Sequence, residues 1–195
     1  MKFFIATKNT KKLIELERIL KPMGFEVISG SNLSTPFPDV EETGTTFEEN
    51  ALLKAKSGCD FTGLPTVADD SGLCVDALDG APGVYSARFS GEDCDDERNN
   101  DKLLDSLKDV PKEKRGAAYV SVIACVFPDG RSFTVRGECR GEIAFSRQGS
   151  NGFGYDPLFI TEYGVFGEIS AEQKDKVSHR GNSLRKFKEE IVKYI

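Results

Sequence analysis

Lys2-Phe3-Phe4-Ile5-Ala6-Thr7-Lys8-Asn9-Thr10 opens with an unbroken apolar run that turns abruptly polar, the pattern of a short strand buried on both faces. From about Thr10 the period changes. Leu13, Leu16, Leu20 and Met23 share one helical face, Gly24 supplies a stop, and Phe25 to Ile28 reads as a second strand. A strand, a helix and a strand in so short a span imply a parallel pair and an α/β class. Thr7, Lys8 and Asn9 then fall at the carboxyl end of a strand, where α/β folds place their ligands.

Moving outward, Ser34 to Thr45 is a polar loop, and Thr46-Phe47-Glu48-Glu49 has the capping-box spacing of a helix that Gly58 is expected to end. Thr66-Val67-Ala68 reads as a strand giving way to a turn at Asp69-Asp70-Ser71-Gly72. Leu103, Leu104 and Leu107 mark a charged surface helix of structural character. Ala117 to Phe127, the turn Pro128-Asp129-Gly130, and Ser132 to Glu138 form a β-hairpin that Arg140 to Phe145 extends. Asn182 to Tyr194, with Leu184, Phe187 and Ile191 at helical spacing, makes a terminal helix. No repeat, low-complexity tract or interdomain linker interrupts the chain, so a single domain over 1–195 is expected.

At 195 residues and 38% apolar content the chain can bury one full core. Its net charge of −6 argues against a nucleic-acid or anionic-membrane surface, which needs a broad basic face, so any phosphate ligand is small. Five scattered cysteines without a CxxC pair indicate neither a disulfide framework nor a zinc knuckle and fit a reducing cytoplasm. Phe3 to Ala6 is too short for a signal-peptide core, and no apolar run reaches membrane-spanning length.

Five segments carry chemistry. Asp69 and Asp70 sit side by side, so their side chains diverge and can do different jobs, although an Asp-Asp pair before Gly is also an ordinary solvated turn. Glu41 and Glu42 are equally ambiguous, but one of them can complete a Mg²⁺ site built from one or two carboxylates and phosphate oxygens. Thr7, Lys8, Asn9, Thr10, Lys11 and Lys12 span a strand-to-helix junction suited to anions, or simply an Asn cap before a lysine-bearing helix. Gly149 to Pro157 sets three glycines around Phe153 and Tyr155, which suits a stacked nucleobase as well as a Gly-rich turn with buried rings. Lys174 to Arg180 gathers Lys, His and Arg donors fit for polyphosphate oxygens, beside acids that also permit a surface charge pattern. Neither a P-loop nor a G-x-S-x-G elbow is present.

In order, Ala6-Thr7-Lys8-Asn9 with Lys12, Glu42-Thr43-Gly44 with Lys54, and Ala68-Asp69-Asp70-Ser71-Gly72 carry a resemblance that continues through Gly80 to Arg88, Phe153-Gly154-Tyr155-Asp156-Pro157, Lys174 and Ser178-His179-Arg180. The set resembles the inosine/xanthosine triphosphate pyrophosphatase family over nearly the whole chain. The resemblance implies an elongated mixed sheet flanked by helices, two lobes with a nucleotide cleft between them, and a homodimer. It implies Mg²⁺-dependent hydrolysis of ITP, dITP and XTP to the monophosphate and pyrophosphate, cleansing the nucleotide pool. Asp70 is then the metal ligand and general base, and Glu42, with Glu41 as fallback, the second ligand. Thr7 to Lys12, Lys54 and Lys174 contact phosphate or ribose, Ser71 lies at the substrate, and Phe153 to Asp156 with His179 and Arg180 recognise the purine. Many relatives have Gly where this chain has Lys8 and Lys11. A donor-rich pocket facing the purine 6-position accepts an oxo group and leaves donors unpaired against adenine. The alternatives are a Maf-like pyrophosphatase for other modified or pyrimidine nucleotides and a nucleotide-binding regulator without turnover.

Overall fold

The computed structural model describes Met1–Ile195, apart from the side chain of Ile19. β1 (Lys2–Ile5), α1 (Thr10–Leu20) and β2 (Glu26–Ile28) form the expected opening. β1 and β2 are parallel, with Phe3 opposite Val27. After them come α2 (Phe47–Thr62), β3 (Thr66–Val75), α3 (Asp96–Ser106), β4 (Gly116–Val126), β5 (Ser132–Ile143), β6 (Phe159–Thr161), β7 (Gly164–Val165), α4 (Ala171–Val177) and α5 (His179–Ile191).

The strands form one mixed seven-stranded sheet in the order β2-β1-β3-β4-β5-β6-β7, flanked by helices. β1 is parallel to both its neighbours, whereas β5, β6 and β7 are successively antiparallel. Between β4 and β5 the chain reverses at Phe127–Arg131, where the Phe127 N–H donates to the Arg131 carbonyl at 2.9 Å. So short a connection joins antiparallel neighbours. The α/β class read from the sequence is the class observed.

Two compact units divide the chain. The first comprises Met1–Asp70, Ser121–Gly137 and Ser183–Ile195, the second Ser71–Val120 and Glu138–Asn182; β3, β4 and β5 contribute residues to both. Each has its own core. In the first, Leu16 and Leu20 of α1 and Leu184, Phe187 and Ile191 of α5 pack with Phe3, Ile5 and Val67. In the second, Leu103 of α3 and Leu107 at its C-cap pack with Leu73, Val75, Phe159 and Phe166. Full burial of one such Leu or Phe contributes about 1.5–3 kcal/mol, so these faces dictate how the helices lie.

Three expectations are corrected. Gly58 does not end α2, which runs on to Gly63 in a left-handed conformation (φ +67°). Gly58 is buried in mid-helix instead, because a Cβ there would lie 2.7 Å from Thr66 Cγ2 and 3.0 Å from the Phe4 ring. Asp69, Asp70, Ser71 and Gly72 are not a turn but the middle of β3, which continues to Val75. Leu73 and Val75 after them are fully buried, and that apolar alternation prolongs the strand. α5 begins at His179 rather than Asn182, after a break at Ser178, which has extended backbone (ψ 161°). His179 and Arg180 therefore occupy the first turn of a helix.

Among the described residues no helix is long and apolar enough to cross a membrane. Nor does a disulfide link any of the five cysteines among those residues.

Candidate active site

In the first unit, four elements converge on a charged cluster. α2 is capped by Thr46, whose side chain accepts from the Glu49 N–H while Glu49 reciprocates, and this fixes the phase of the helix. Asn50 and Lys54, one turn apart, thus lie on the same face. The Lys54 ammonium stands 2.8 Å from Glu42 Oε1 and 2.8 Å from Asp70 Oδ1. Asn50, fully buried, approaches Asp70 Oδ2 at 3.5 Å and accepts from the Gly44 N–H at 2.8 Å, tying the loop that carries Glu42 to the helix that carries Lys54.

Asp69 and Asp70 point to opposite faces of β3, as adjacent strand residues must. Asp69 is buried and its oxygens are bound separately: Lys12 Nζ lies 2.8 Å from Oδ2, and the Ser121 hydroxyl donates to Oδ1 at 2.6 Å. Ser121 and Ser183 share a further bond at 2.9 Å. Asn9 caps α1, its Oδ1 accepting from the Lys11 and Lys12 N–H groups at 3.0 and 3.1 Å, and this sets the turn from which Lys12 reaches Asp69.

Burial pushes the Asp70 carboxyl above its ordinary range, with Lys54 and Lys12 pulling against it and Glu42 adding to the rise. Burial also works to lower the Lys54 ammonium, yet Asp70 and Glu42 together outweigh it and the group is raised. The two directions are compatible. Lys54 touches two carboxylates, while Asp70 touches one ammonium and feels a second acid nearby.

In the second unit, Lys174 is buried and bonded to Asp156 at 2.6 Å, with its ammonium 5.0 Å from the centre of the Phe153 ring. The Arg180 guanidinium lies 5.9 Å from the same ring, and its Nη2 donates to Ser71 Oγ at 2.9 Å. His179 is buried and stacks on Tyr119, ring centres 4.6 Å apart and planes within 11°. Of the two rings in Phe153-Gly154-Tyr155-Asp156, Tyr155 is buried and donates its hydroxyl to the Ser86 carbonyl at 2.8 Å, whereas Phe153 is half-buried. Phe153 is the more exposed of the two rings.

A model of the Ham1 family matches residues 3–190. The chain belongs to the Ham1 family. It is 51% identical over 189 residues to the dITP/XTP pyrophosphatase of Geobacter sulfurreducens, covering 96% of this chain and 94% of that protein. It is 50% identical to that of an Exiguobacterium strain, covering 100% and 99%. Among solved structures, the Staphylococcus aureus Ham1 protein superposes with a TM-score of 0.89 at 40% identity, with both chains fully covered.

In this Ham1 chain the sequence-derived residues fall into three groups. Glu42, Lys54 and Asp70 meet directly in the first unit, with Lys12 joined to the neighbouring Asp69. Ser71, Phe153, Asp156, Lys174 and Arg180 are linked by bonds and cation–ring contacts in the second, with His179 beside Arg180. Lys8, Thr10 and Lys11 are exposed at the start of α1, and Lys8 is paired with Asp39. Glu41 is exposed, so Glu42 is the acid of that pair that meets Lys54.

Among the described residues no three His, Cys, Asp or Glu side chains cluster as a metal cage. Glu42 and Asp70 nevertheless direct hard oxygens at one point, where Lys54 already places a positive charge. Two carboxylates suit Mg²⁺, which takes one or two and fills its octahedron with phosphate oxygens and water.

Sequence reasoning missed Ser121, Asn100 and Tyr119. Ser121 interrupts the apolar run Val120 to Cys125, and Asn100 shares a helical face with Leu103, Leu104 and Leu107. A polar residue in an apolar phase was the available signal.

Proposed function

We propose that this chain hydrolyses non-canonical purine nucleoside triphosphates, ITP, dITP and XTP, to the monophosphate and pyrophosphate. The names of its close relatives support the reaction class, and the observation that carries it in this molecule is the Glu42–Lys54–Asp70 array in the first unit.

Glu42 and Asp70 would hold Mg²⁺, which when bound would neutralise charge on the triphosphate oxygens. The chain's own residues do the rest. Asp70 orients a water and takes its proton as the oxygen bonds to the α-phosphorus; a carboxylate raised by burial is a better base than an ordinary one. The bond from the α-phosphorus to the bridging oxygen breaks, and pyrophosphate leaves with the electron pair. Lys54 and Lys12 donate to the phosphates, the latter steadied by Asp69. The Thr7 and Asn9 side chains add donors, and Lys8, Thr10 and Lys11 complete that segment. Phe153 stacks on the purine, and Lys174, His179, Arg180 and Ser71 fix the base and sugar, with the Gly154 to Asp156 segment holding Phe153 and Lys174 in place. The protein acts as a homodimer in the cytoplasm.

A panel of ITP, dITP, XTP, GTP, ATP and pyrimidine triphosphates, assayed with Mg²⁺ and with products identified, tests this reading. Pyrophosphate and monophosphate from the 6-oxo purines ITP, dITP and XTP, at rates well above those of ATP, are expected. Turnover of ATP equal to that of ITP contradicts it, and preference for pyrimidines moves the chain to the Maf-like class.

A further inference from the structure

In the second unit, three consecutive N–H groups of the purine-recognition segment are each held by a side chain from a different place. The Phe153 N–H donates to Asp156 Oδ2 at 2.8 Å, the Gly154 N–H to Asp96 Oδ2 at 2.9 Å, and the Tyr155 N–H to Tyr119 Oη at 3.1 Å. The Gly154 carbonyl is also taken, accepting from Asn100 Nδ2 at 2.9 Å. Asn100 is bonded in turn to the Asp96 carbonyl at 2.8 Å, so both peptide groups of Gly154 are gripped by one turn of α3. Arg147 reinforces the junction, donating to Asp101 Oδ1 at 2.8 Å.

Asn100 and Tyr119 are 1% and 7% exposed; the Tyr119 bond is fully buried, and those of Asp96 and Asn100 are partly so. Buried polar bonds of this kind hold one conformation firmly, because leaving any partner unmade carries its full desolvation cost. Tyr119 has a second duty, since its ring carries the stacked His179. One phenol therefore fixes a peptide group next to Phe153 and the plane of an imidazole.

Recognition of a purine oxo group depends on donors placed to within a fraction of an ångström. The N–H groups at Phe153, Gly154 and Tyr155 are already bonded to protein acceptors, so recognition falls to side chains whose placement depends on this scaffold. We propose that Asp96, Asn100 and Tyr119 are positioning residues that set purine selectivity by locking the Gly154 and Tyr155 peptides and the His179 ring. This rests on the function proposed above and names what tunes it.

The test compares Tyr119→Phe, Asn100→Ala, Asp96→Ala and the conservative Asp96→Asn for pyrophosphate release from ITP and ATP, alongside thermal unfolding. Tyr119→Phe keeps the ring on His179 and removes only the acceptor, so it remains informative if Asn100→Ala fails to fold. Loosening the scaffold harms the substrate that uses it: kcat/KM for ITP falls about tenfold, mainly through KM, while that for ATP changes less than about twofold. Asp96→Asn, which keeps an acceptor oxygen, recovers most of what Asp96→Ala loses. A proportional fall for both substrates, or an unchanged ratio in folded variants, assigns these residues a merely structural role and overturns the inference. Wild-type protein that releases no pyrophosphate from ITP overturns the parent reading with it, whereas an active wild type with unaltered variants sinks this inference alone.

Discussion

The charged cluster of the first unit and the aromatic group of the second are held together by opposite means. In the first, side chains hold side chains: Lys54 joins Glu42 to Asp70, and Lys12 and Ser121 divide the oxygens of Asp69. In the second, side chains hold main chain: Asp96, Asn100, Tyr119 and Asp156 secure the peptides from Phe153 to Tyr155. Reciprocal pairing keeps several charges in a small volume, so removing one leaves its partner exposed to an unbalanced field. A clamped backbone instead presents a shape, and loosening it blurs discrimination before it stops chemistry.

The largest effect expected from this contrast is that of Asp70→Asn, which keeps size and burial but removes the carboxylate proposed as the base. Its kcat should fall by about 10³-fold or more with the fold retained by circular dichroism. Activity within about tenfold of wild type would remove Asp70 from the chemistry.

Lys54→Met comes next, because it leaves two carboxylates facing each other. A loss of about 10²-fold in kcat/KM and of about 3 kcal/mol in stability is expected, both below the effect of Asp70→Asn on turnover. Since a divalent cation can take over the neutralising role, Mg²⁺ should raise the denaturation midpoint of this variant more than that of wild type. Equal Mg²⁺ responses would break the link between Lys54 and the carboxylates.

Gly152→Ala probes the second region. A Cβ at Gly152 would lie 1.9 Å from Asp156 Oδ2, and the residue has φ +76°, so the substitution dislodges the carboxylate that holds both Lys174 and the Phe153 N–H. The preference for ITP over ATP should contract about tenfold while Mg²⁺ dependence is unchanged. An intact preference would show that the position of Asp156 does not matter to base choice.

The smallest effect is in stability against pH without Mg²⁺. Asp70 has a raised folded pKa, so the folded state holds its proton more tightly than the unfolded chain does. That contribution is complete below about pH 4 and is lost as pH rises through the folded value. Relative to Asp70→Asn, wild type should therefore weaken in chemical denaturation as pH rises above about 4 and through the folded value. A relative gain over that window would mean that pairing with Lys54 outweighs burial.

Most of the fold was legible because apolar periodicity reports burial directly. The β1–α1–β2 opening, the α2 capping box and the β4–β5 hairpin each rest on local residue order. What local order could not reveal was tertiary context. Gly58 reads as a helix stop until Phe4 and Thr66 are seen pressing on it, and Asp69-Asp70 reads as a turn until β3 is seen to continue through it. The same holds at the site. Its charged residues announced themselves by type and spacing, but Ser121, Asn100 and Tyr119 act through bonds that cross long stretches of sequence.

Hydrolysis of ITP in ¹⁸O-labelled water with Mg²⁺ tests most directly whether the Glu42–Lys54–Asp70 array delivers water to the α-phosphorus. One labelled oxygen in the monophosphate, with unlabelled pyrophosphate, is the predicted result. Label in the pyrophosphate, or release of orthophosphate, would contradict it.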